Sequence, residues 1–309
     1  MAKPVGRLAP SPSGRMHPGN ILAFLVAWLS ARSVSGEVVL RIEDLDRVRC
    51  TPEWADILKD DLTWLGITWD REAPPQRDRD SAFEEALERL KDMGLVFPCW
   101  CTRGVLNASR APHATDGHWI YPGNCRNLTP DERLSKKGPP SYRLIVPDRE
   151  ICFTDRIYGE RRENLARECG DFVLKKADGS YAYQLAVVVD DIACGVTEVV
   201  RGCDLLGSVP RQIYLTELLG GKTPEYMHVP ILLGPGGRKL SKRDLDLDMG
   251  QLRARIRPQR MLGELAFRVG LIDSSREISA AELISEYSPE KLSKTDVELG
   301  NDFCGCLLD

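Results

Sequence analysis

The sequence predicts an α/β fold organised around a parallel sheet, and three observations predict it. Short β-branched runs alternate with helical stretches along much of the chain. Near the N-terminus the order is strand, helix, strand, which a parallel sheet requires. The turn between the first strand and the first helix is rich in Gly, Pro and Ser, as expected where a ligand sits beyond the carboxyl end of a strand.

Val5–Leu8 reads as a short strand and Asn20–Ser33 as a helix, followed by a buried strand in "EVVLRIED" (Glu37–Asp44). Helices are predicted over Pro52–Leu65, with Thr51 as cap, and over Ser81–Met93, with Gly94 as stop. From Phe97 to about Asn127 the chain is rich in Cys, Pro, Gly and His and reads as an insertion. "SYRLIVPDREICFTDRIYG" is β-rich, and "VLKKADGSYAY" carries an Asp-Gly hairpin signal. "YQLAVVVDDIA" is helical, "TEVVRG" a strand, and "VPRQIYLTELLG" a helix stopped at Gly220–Gly221. "HVPILLGPGGRKLSKRDL" is a strand opening into a glycine-rich basic loop. These elements divide the chain into a first half of the α/β unit (1–96), an insertion (97–170), a second half (171–243) and a short C-terminal helical region (244–309).

A chain of 309 residues can bury a sizeable core. Its net charge of −4 excludes a global basic field, though a local stripe can still hold a phosphate backbone. The opening "MAKPVGRLAPSPSG" is polar and turn-rich, unlike a secretory signal, and the longest apolar run, Ile21 to Leu29, is about half of a membrane span. The ten cysteines are scattered, so a reducing cytoplasm is expected, with clustered cysteines more suited to metal than to disulfides.

"RLAPSPSGRMHPGN" places His17, Gly19 and Asn20 where a helix begins, and the unpaired N–H groups of a helix start suit an anion. Gly14 and Gly19 also remove side chains that would hold a ligand away from the backbone. Alone this is a weak signal, as is the basic run "RKLSKR" at Arg238–Arg243. Together they supply two donor-rich elements. Triphosphate chemistry needs both, one to hold the nucleotide and one to neutralise charge as pyrophosphate departs.

These motifs resemble the HIGH and KMSKS signatures of class I aminoacyl-tRNA synthetases. "LRIEDLDRVR", "YAYQLAVVVDD", "VVRGCDLL" and "KLSKR" further resemble, in order, the glutamyl-tRNA synthetase catalytic core. The resemblance implies a Rossmann-type parallel sheet with a zinc-containing insertion. Pro18, Asn20 and Arg243 depart from the generic motifs; Asn and Arg are familiar in the glutamyl branch, and proline suits the first turn of a helix. Glutamate brings two carboxylates and one ammonium. Arg7 and Arg201 suit the carboxylates, Ser11 and Tyr183 offer hydroxyls, and Glu43 suits the ammonium; the resemblance assigns all five to the amino acid. It also assigns His17, Gly19, Asn20, Lys239, Ser241 and Lys242 to ATP, with His17 and Lys242 catalytic and magnesium accompanying the nucleotide.

Cys99, Cys101 and Cys125 lie within about 27 residues, and a structural zinc wants a fourth ligand. Spacing alone offers His118 or His113. The resemblance instead implies Tyr121, from a Cys-x-Cys followed by Tyr-x3-Cys.

About 66 residues follow Arg243, fewer than the helical anticodon-reading domain of a full glutamyl-tRNA synthetase. The pattern is similar to the glutamyl-queuosine tRNA(Asp) synthetase family. The resemblance implies an enzyme that activates glutamate with ATP without tRNA and esterifies queuosine at the first anticodon position of tRNA-Asp. Asp190 and Asp191, close to Tyr183 in sequence, are candidates for the base in that transfer. From Arg238 to Arg260 eight basic residues face three acidic ones, whereas from Met261 onward ten acidic face four basic. Arg253, Arg255, Arg257 and Arg260 are therefore expected to meet the anticodon-stem phosphates. A shortened enzyme charging tRNA-Glu, a silent regulatory paralogue and a ligase acting on a small metabolite are the alternatives. A monomer is expected, since no assembly module is visible.

Overall fold

The computed structural model describes residues 3–102, 120–238, 240, 249–300 and 303. Strand β1 (Val5–Leu8) leads into α1 (Pro18–Ser33), which returns as β2 (Glu37–Leu40). Helix α2 (Pro52–Trp64), whose cap Thr51 accepts from the Trp54 N–H, leads to β3 (Arg71–Glu72). These strands pair in parallel in the order β1-β2-β3, with Arg7 opposite Val39.

Helix α3 (Asp80–Asp92) precedes β4 (Val96–Cys99), α4 (Pro130–Leu134) and β5 (Ser141–Leu144). The hairpin β6 (Glu150–Asp155) and β7 (Gly159–Asn164) is followed by β8 (Phe172–Lys175). Strands β4, β5 and β8 form a small antiparallel sheet. Beyond it come α5 (Tyr183–Ala193), β9 (Glu198–Gly202), α6 (Val209–Leu218) and β10 (Glu225–Val229). The second large sheet runs β7-β6-β10-β9, parallel except for the β6–β7 hairpin. Strand β6, from the segment read as an insertion, thus lies beside β10.

The two sheets meet where β1 lies along β9. The Thr197 N–H donates to the Val5 carbonyl at 2.9 Å, and the Val5 N–H donates to Thr197 Oγ1 at 2.8 Å. Successive strands run outward in opposite directions from this junction, and such a reversal opens a crevice at the strands' carboxyl ends.

The apolar run in α1 is explained by its place. Ile21, Leu22, Leu25, Val26 and Leu29 are buried, with β1 and β9 on one side and the C-terminal helices on the other. A helix enclosed on several sides needs no polar stripe. After β11 (Leu232–Leu233) come α7 (Met249–Arg253), α8 (Pro258–Arg268) and α9 (Ala280–Glu286), then β12 (Val297–Glu298), which pairs in parallel with β11. Met261, Leu262, Leu265 and Leu283 join the core around α1, each such burial contributing about 1.5–3 kcal/mol. Among the described residues no helix is long and apolar enough to cross a membrane.

Candidate active site

A cavity of about 370 Å³ opens at the β1–β9 junction, within the roughly 300–1,000 Å³ of ordinary ligand pockets. Arg7 near the end of β1, Ser11 in the following turn, Glu43 after β2, Tyr183 at the start of α5 and Arg201 on β9 all line it. Five residues separated by up to 194 positions are thus brought to one wall by the parallel sheet. Ala23 and Phe24 of α1 supply apolar surface.

Charge in this wall is balanced through contacts that the sequence did not reveal. Arg41, wholly buried, donates from Nη1 to Asp191 at 2.5 Å and from Nη2 to Glu43 at 2.9 Å. Arg7 donates to the Val200 carbonyl at 2.9 Å and lies 3.7 Å from Asp191. Arg201 donates to the Tyr183 hydroxyl and to the Leu205 carbonyl, both at 3.2 Å. Among the charged residues that line the cavity, Arg7, Arg15 and Arg201 are cationic and Glu43 is anionic, and Arg15 is paired with Asp61 at 3.2 Å. Burial pulls the Arg7 pKa down, with Arg41 and Arg201 adding to that effect against Asp191. Burial also raises Glu43 above the ordinary carboxylate range, although Arg41 opposes the shift. A buried arginine amid apolar "VVLRI" was the signal for Arg41, since such a cation needs an acidic partner.

Asp190 and Asp191 do not line the cavity. Asp190 is buried and accepts from Gln76 and Arg79, both at 3.0 Å, while Asp191 is bound to Arg41. Asp191 thus supports Arg41 and Arg7, whereas Asp190 ties α5 to Gln76 and Arg79.

His17 caps α1, and its backbone N–H donates to Asn20 Oδ1 at 3.2 Å. Its chain neighbour Met16, and Asn20, both line the cavity. Pro18 occupies the first helical turn, where it forfeits no helical hydrogen bond. Gly14, with φ of 131°, makes the turn into the cavity, and Gly19 leaves space for the histidine, whose Cε1 would lie 3.1 Å from an added Cβ. Lys239, Ser241, Lys242 and Arg243 lie outside the described residues.

A second centre lies around the antiparallel sheet. The sulfurs of Cys99, Cys101 and Cys125 fall within 4.8 Å of one another, with Cys101 and Cys125 3.7 Å apart. The Tyr121 oxygen lies 3.4 Å from Cys99 and 3.9 Å from Cys101, and the Cys125 N–H donates to it at 2.7 Å. A tetrahedral ion with metal–sulfur bonds of about 2.3 Å separates its ligands by about 3.8 Å, so this donor set can hold a metal. His113 and His118 lie outside the described residues. Arg143, not foreseen from the sequence, donates to Cys99 at 3.3 Å and stacks 4.1 Å from the Tyr121 ring centre. Burial raises the Cys99 thiol pKa, but hydrogen bonds from Tyr121, the Cys101 backbone and Arg143 bring it below the usual value. Burial pushes Cys101 up to about 11.

The four C-terminal arginines are not equivalent. Arg253 is held by Asp60 at 2.5 Å and Asp61 at 2.8 Å, and stacks 5.4 Å from the Trp64 ring centre. Its guanidinium is committed within the protein. Arg255 contacts Gln251 at 3.4 Å, and Arg257 is strongly exposed, 3.9 Å from Glu277. Arg260 lies in the first turn of α8.

Residues 4–299 match the family of class I tRNA synthetases (E and Q), catalytic domain. A glutamyl-Q tRNA(Asp) synthetase of Symbiobacterium thermophilum is 43% identical over 309 residues, covering 95% of each chain. A second, from Nitratidesulfovibrio vulgaris, is 46% identical over 281 residues and 86% of each chain. Among solved structures, a glutamate tRNA ligase from Elizabethkingia meningosepticum in complex with its amino acid superposes with a TM-score of 0.82 at 26% identity. That superposition covers 98% of this chain and 68% of the ligase.

Proposed function

The chain belongs to the class I tRNA synthetase family (E and Q), and on that footing we propose that it joins L-glutamate to queuosine of tRNA-Asp at the expense of ATP. The observation that carries the reading is that Arg7, Arg201 and Glu43 converge on one cavity, cationic groups for two carboxylates beside a carboxylate for an ammonium. Arg7 and Arg201 take the two carboxylates, Glu43 takes the ammonium, and Ser11 and Tyr183 supply hydroxyls.

Activation begins when a glutamate carboxylate oxygen attacks the α-phosphorus of ATP and pyrophosphate leaves. His17, Gly19 and Asn20 at the α1 start hold the triphosphate, and Lys239, Ser241 and Lys242 neutralise the charge that develops, together with magnesium. A hydroxyl of the queuosine cyclopentene then attacks the glutamyl carbonyl, an ester forms and AMP departs. Zinc would be held by Cys99, Cys101, Cys125 and Tyr121, where it cross-links the ends of β4 to the segment around Cys125. Arg143 offsets the negative charge of those donors. Arg255, Arg257 and Arg260 face the tRNA phosphates, while Arg253 acts within the fold.

The test is transfer of labelled glutamate, with ATP, onto tRNA-Asp with and without queuosine, and onto tRNA-Glu. Labelling confined to queuosine-bearing tRNA-Asp is expected. Labelling of tRNA-Glu would make the chain a charging enzyme.

A further inference from the structure

Arg201 is held from behind as well as at its tip. Its Nε donates to His228 Nε2 at 3.0 Å, and His228 Nδ1 lies 2.6 Å from Asp155 Oδ2. His228 and Asp155 are both fully buried. They stand on β10 and β6, and neither lines the cavity.

The donor inventory fixes the protons. An arginine Nε–H can only donate, so His228 Nε2 accepts and its proton sits on Nδ1, directed at Asp155. The other carboxylate oxygen of Asp155 accepts from the backbone N–H groups of Ile157 at 3.0 Å and Tyr158 at 2.9 Å, so the carboxylate cannot swing away. The Tyr226 ring stacks on His228 with 6.4 Å between centres and also lies under the Arg201 guanidinium. With Tyr183 and Leu205 each taking one further N–H, one N–H on each terminal nitrogen of Arg201 has no partner among the described residues and faces a ligand.

We propose that Asp155 and His228 are positioning residues that aim Arg201 at the substrate carboxylate by fixing the His228 tautomer. This rests on the reading of Arg201 as a glutamate ligand. Burial holds the His228 pKa down, and the neighbouring Arg201 adds to that, so a neutral ring is favoured. Burial opposes ionisation of Asp155, but the hydrogen bond from His228 and the two backbone N–H groups outweigh it.

Asp155→Asn isolates the effect. Its carbonyl oxygen must stay on the backbone donors, so its amide nitrogen faces His228 Nδ1. The ring proton then moves to Nε2, where it opposes the Arg201 N–H, and the arginine loses its aim. Two measurements decide the matter. Nitrogen NMR of the four histidines should show His228 neutral and protonated on Nδ1 in the unaltered protein, and on Nε2 in Asp155→Asn. Calorimetric titration of glutamate should show affinity about ten- to a hundred-fold weaker in Asp155→Asn, as expected for one misdirected charge-assisted hydrogen bond. In an Arg201→Ala background the same change should add nothing.

A charged or Nε2-protonated His228 in the unaltered protein overturns the relay without any variant being needed. Equal glutamate affinity in Asp155→Asn and the unaltered protein overturns the positioning role alone. Failure of the unaltered protein to bind glutamate at all removes the substrate assignment, and the proposal with it.

Discussion

Arg41 joins Glu43 to Asp191 through one guanidinium, reaching Asp191 at 2.5 Å and Glu43 at 2.9 Å with no solvent exposure of its own. This tie fixes the carboxylate on the cavity wall relative to α5. It also ties the charge state of Glu43 to the site.

Glutamate binding should therefore weaken as pH falls. Burial raises the Glu43 pKa, so it takes up a proton at a higher pH than an ordinary carboxylate and then no longer attracts an ammonium. Affinity is expected to be full where Glu43 is ionised and to drop as pH falls through that raised pKa. Glu43→Gln should bind glutamate about ten- to a hundred-fold more weakly and lose this acid dependence. Titration of glutamate between about pH 8 and pH 5 checks it, and a flat profile in the unaltered protein would remove Glu43 from ammonium binding.

Arg253→Ala should cost stability where its neighbours do not. Asp61 is wholly buried, and with Arg253 gone only Arg15 among the described residues, at 3.2 Å, still pairs with it. A loss of about 1–3 kcal/mol is expected in urea unfolding near neutral pH. Burial already raises the Asp61 pKa, so the loss should shrink as pH falls through it and the group becomes neutral. Arg255→Ala and Arg257→Ala should stay within about 0.5 kcal/mol of the unaltered protein. They should instead weaken tRNA binding and flatten its salt dependence.

Tyr121→Phe should weaken zinc binding by at least about ten-fold while leaving the ring stacked under Arg143. Competition with a chromophoric chelator reads the affinity. Because Cys101 is pushed up to about 11, it binds metal only by losing a proton, so affinity should rise with pH. An unchanged affinity in Tyr121→Phe would turn attention to His113 or His118.

Gly19→Ala should separate activity from stability. Alanine favours a helix over glycine by about 1 kcal/mol, so the fold should hold or gain. Its Cβ would crowd the His17 ring at 3.1 Å, and the ring must give by a few tenths of an ångström. Glutamate-dependent ATP–pyrophosphate exchange should fall about ten-fold, short of the hundred-fold that a full ångström of misplacement costs. Unchanged exchange would mean that the ring position is not critical.

Much of the fold was legible in the sequence because helix starts, stops and apolar runs are local signals. Thr51, Pro18 and Gly94 act where the sequence placed them. The gathering of Arg7, Ser11, Glu43, Tyr183 and Arg201 around one cavity was anticipated through the family resemblance; spacing alone could not have given it. The supports behind them were hidden. Arg41 pairs with a residue 150 positions away, and Arg143 reaches Cys99 across 44, so no local pattern records either contact. The four C-terminal arginines looked alike in sequence because a charge count cannot tell a cation bound to a buried Asp61 from one facing water.

The bond between Thr197 and Val5 spans 192 positions and closes the sheet at the cavity. During synthesis, Arg7 and Glu43 emerge long before Tyr183 and Arg201 have been made. Glu43 already has Arg41, but Arg7 must wait for Val200 and Asp191, and non-local closure of this kind is slow. The cavity is thus complete only once β9 has been made, and a chain that ends before β9 carries no half-formed version of it.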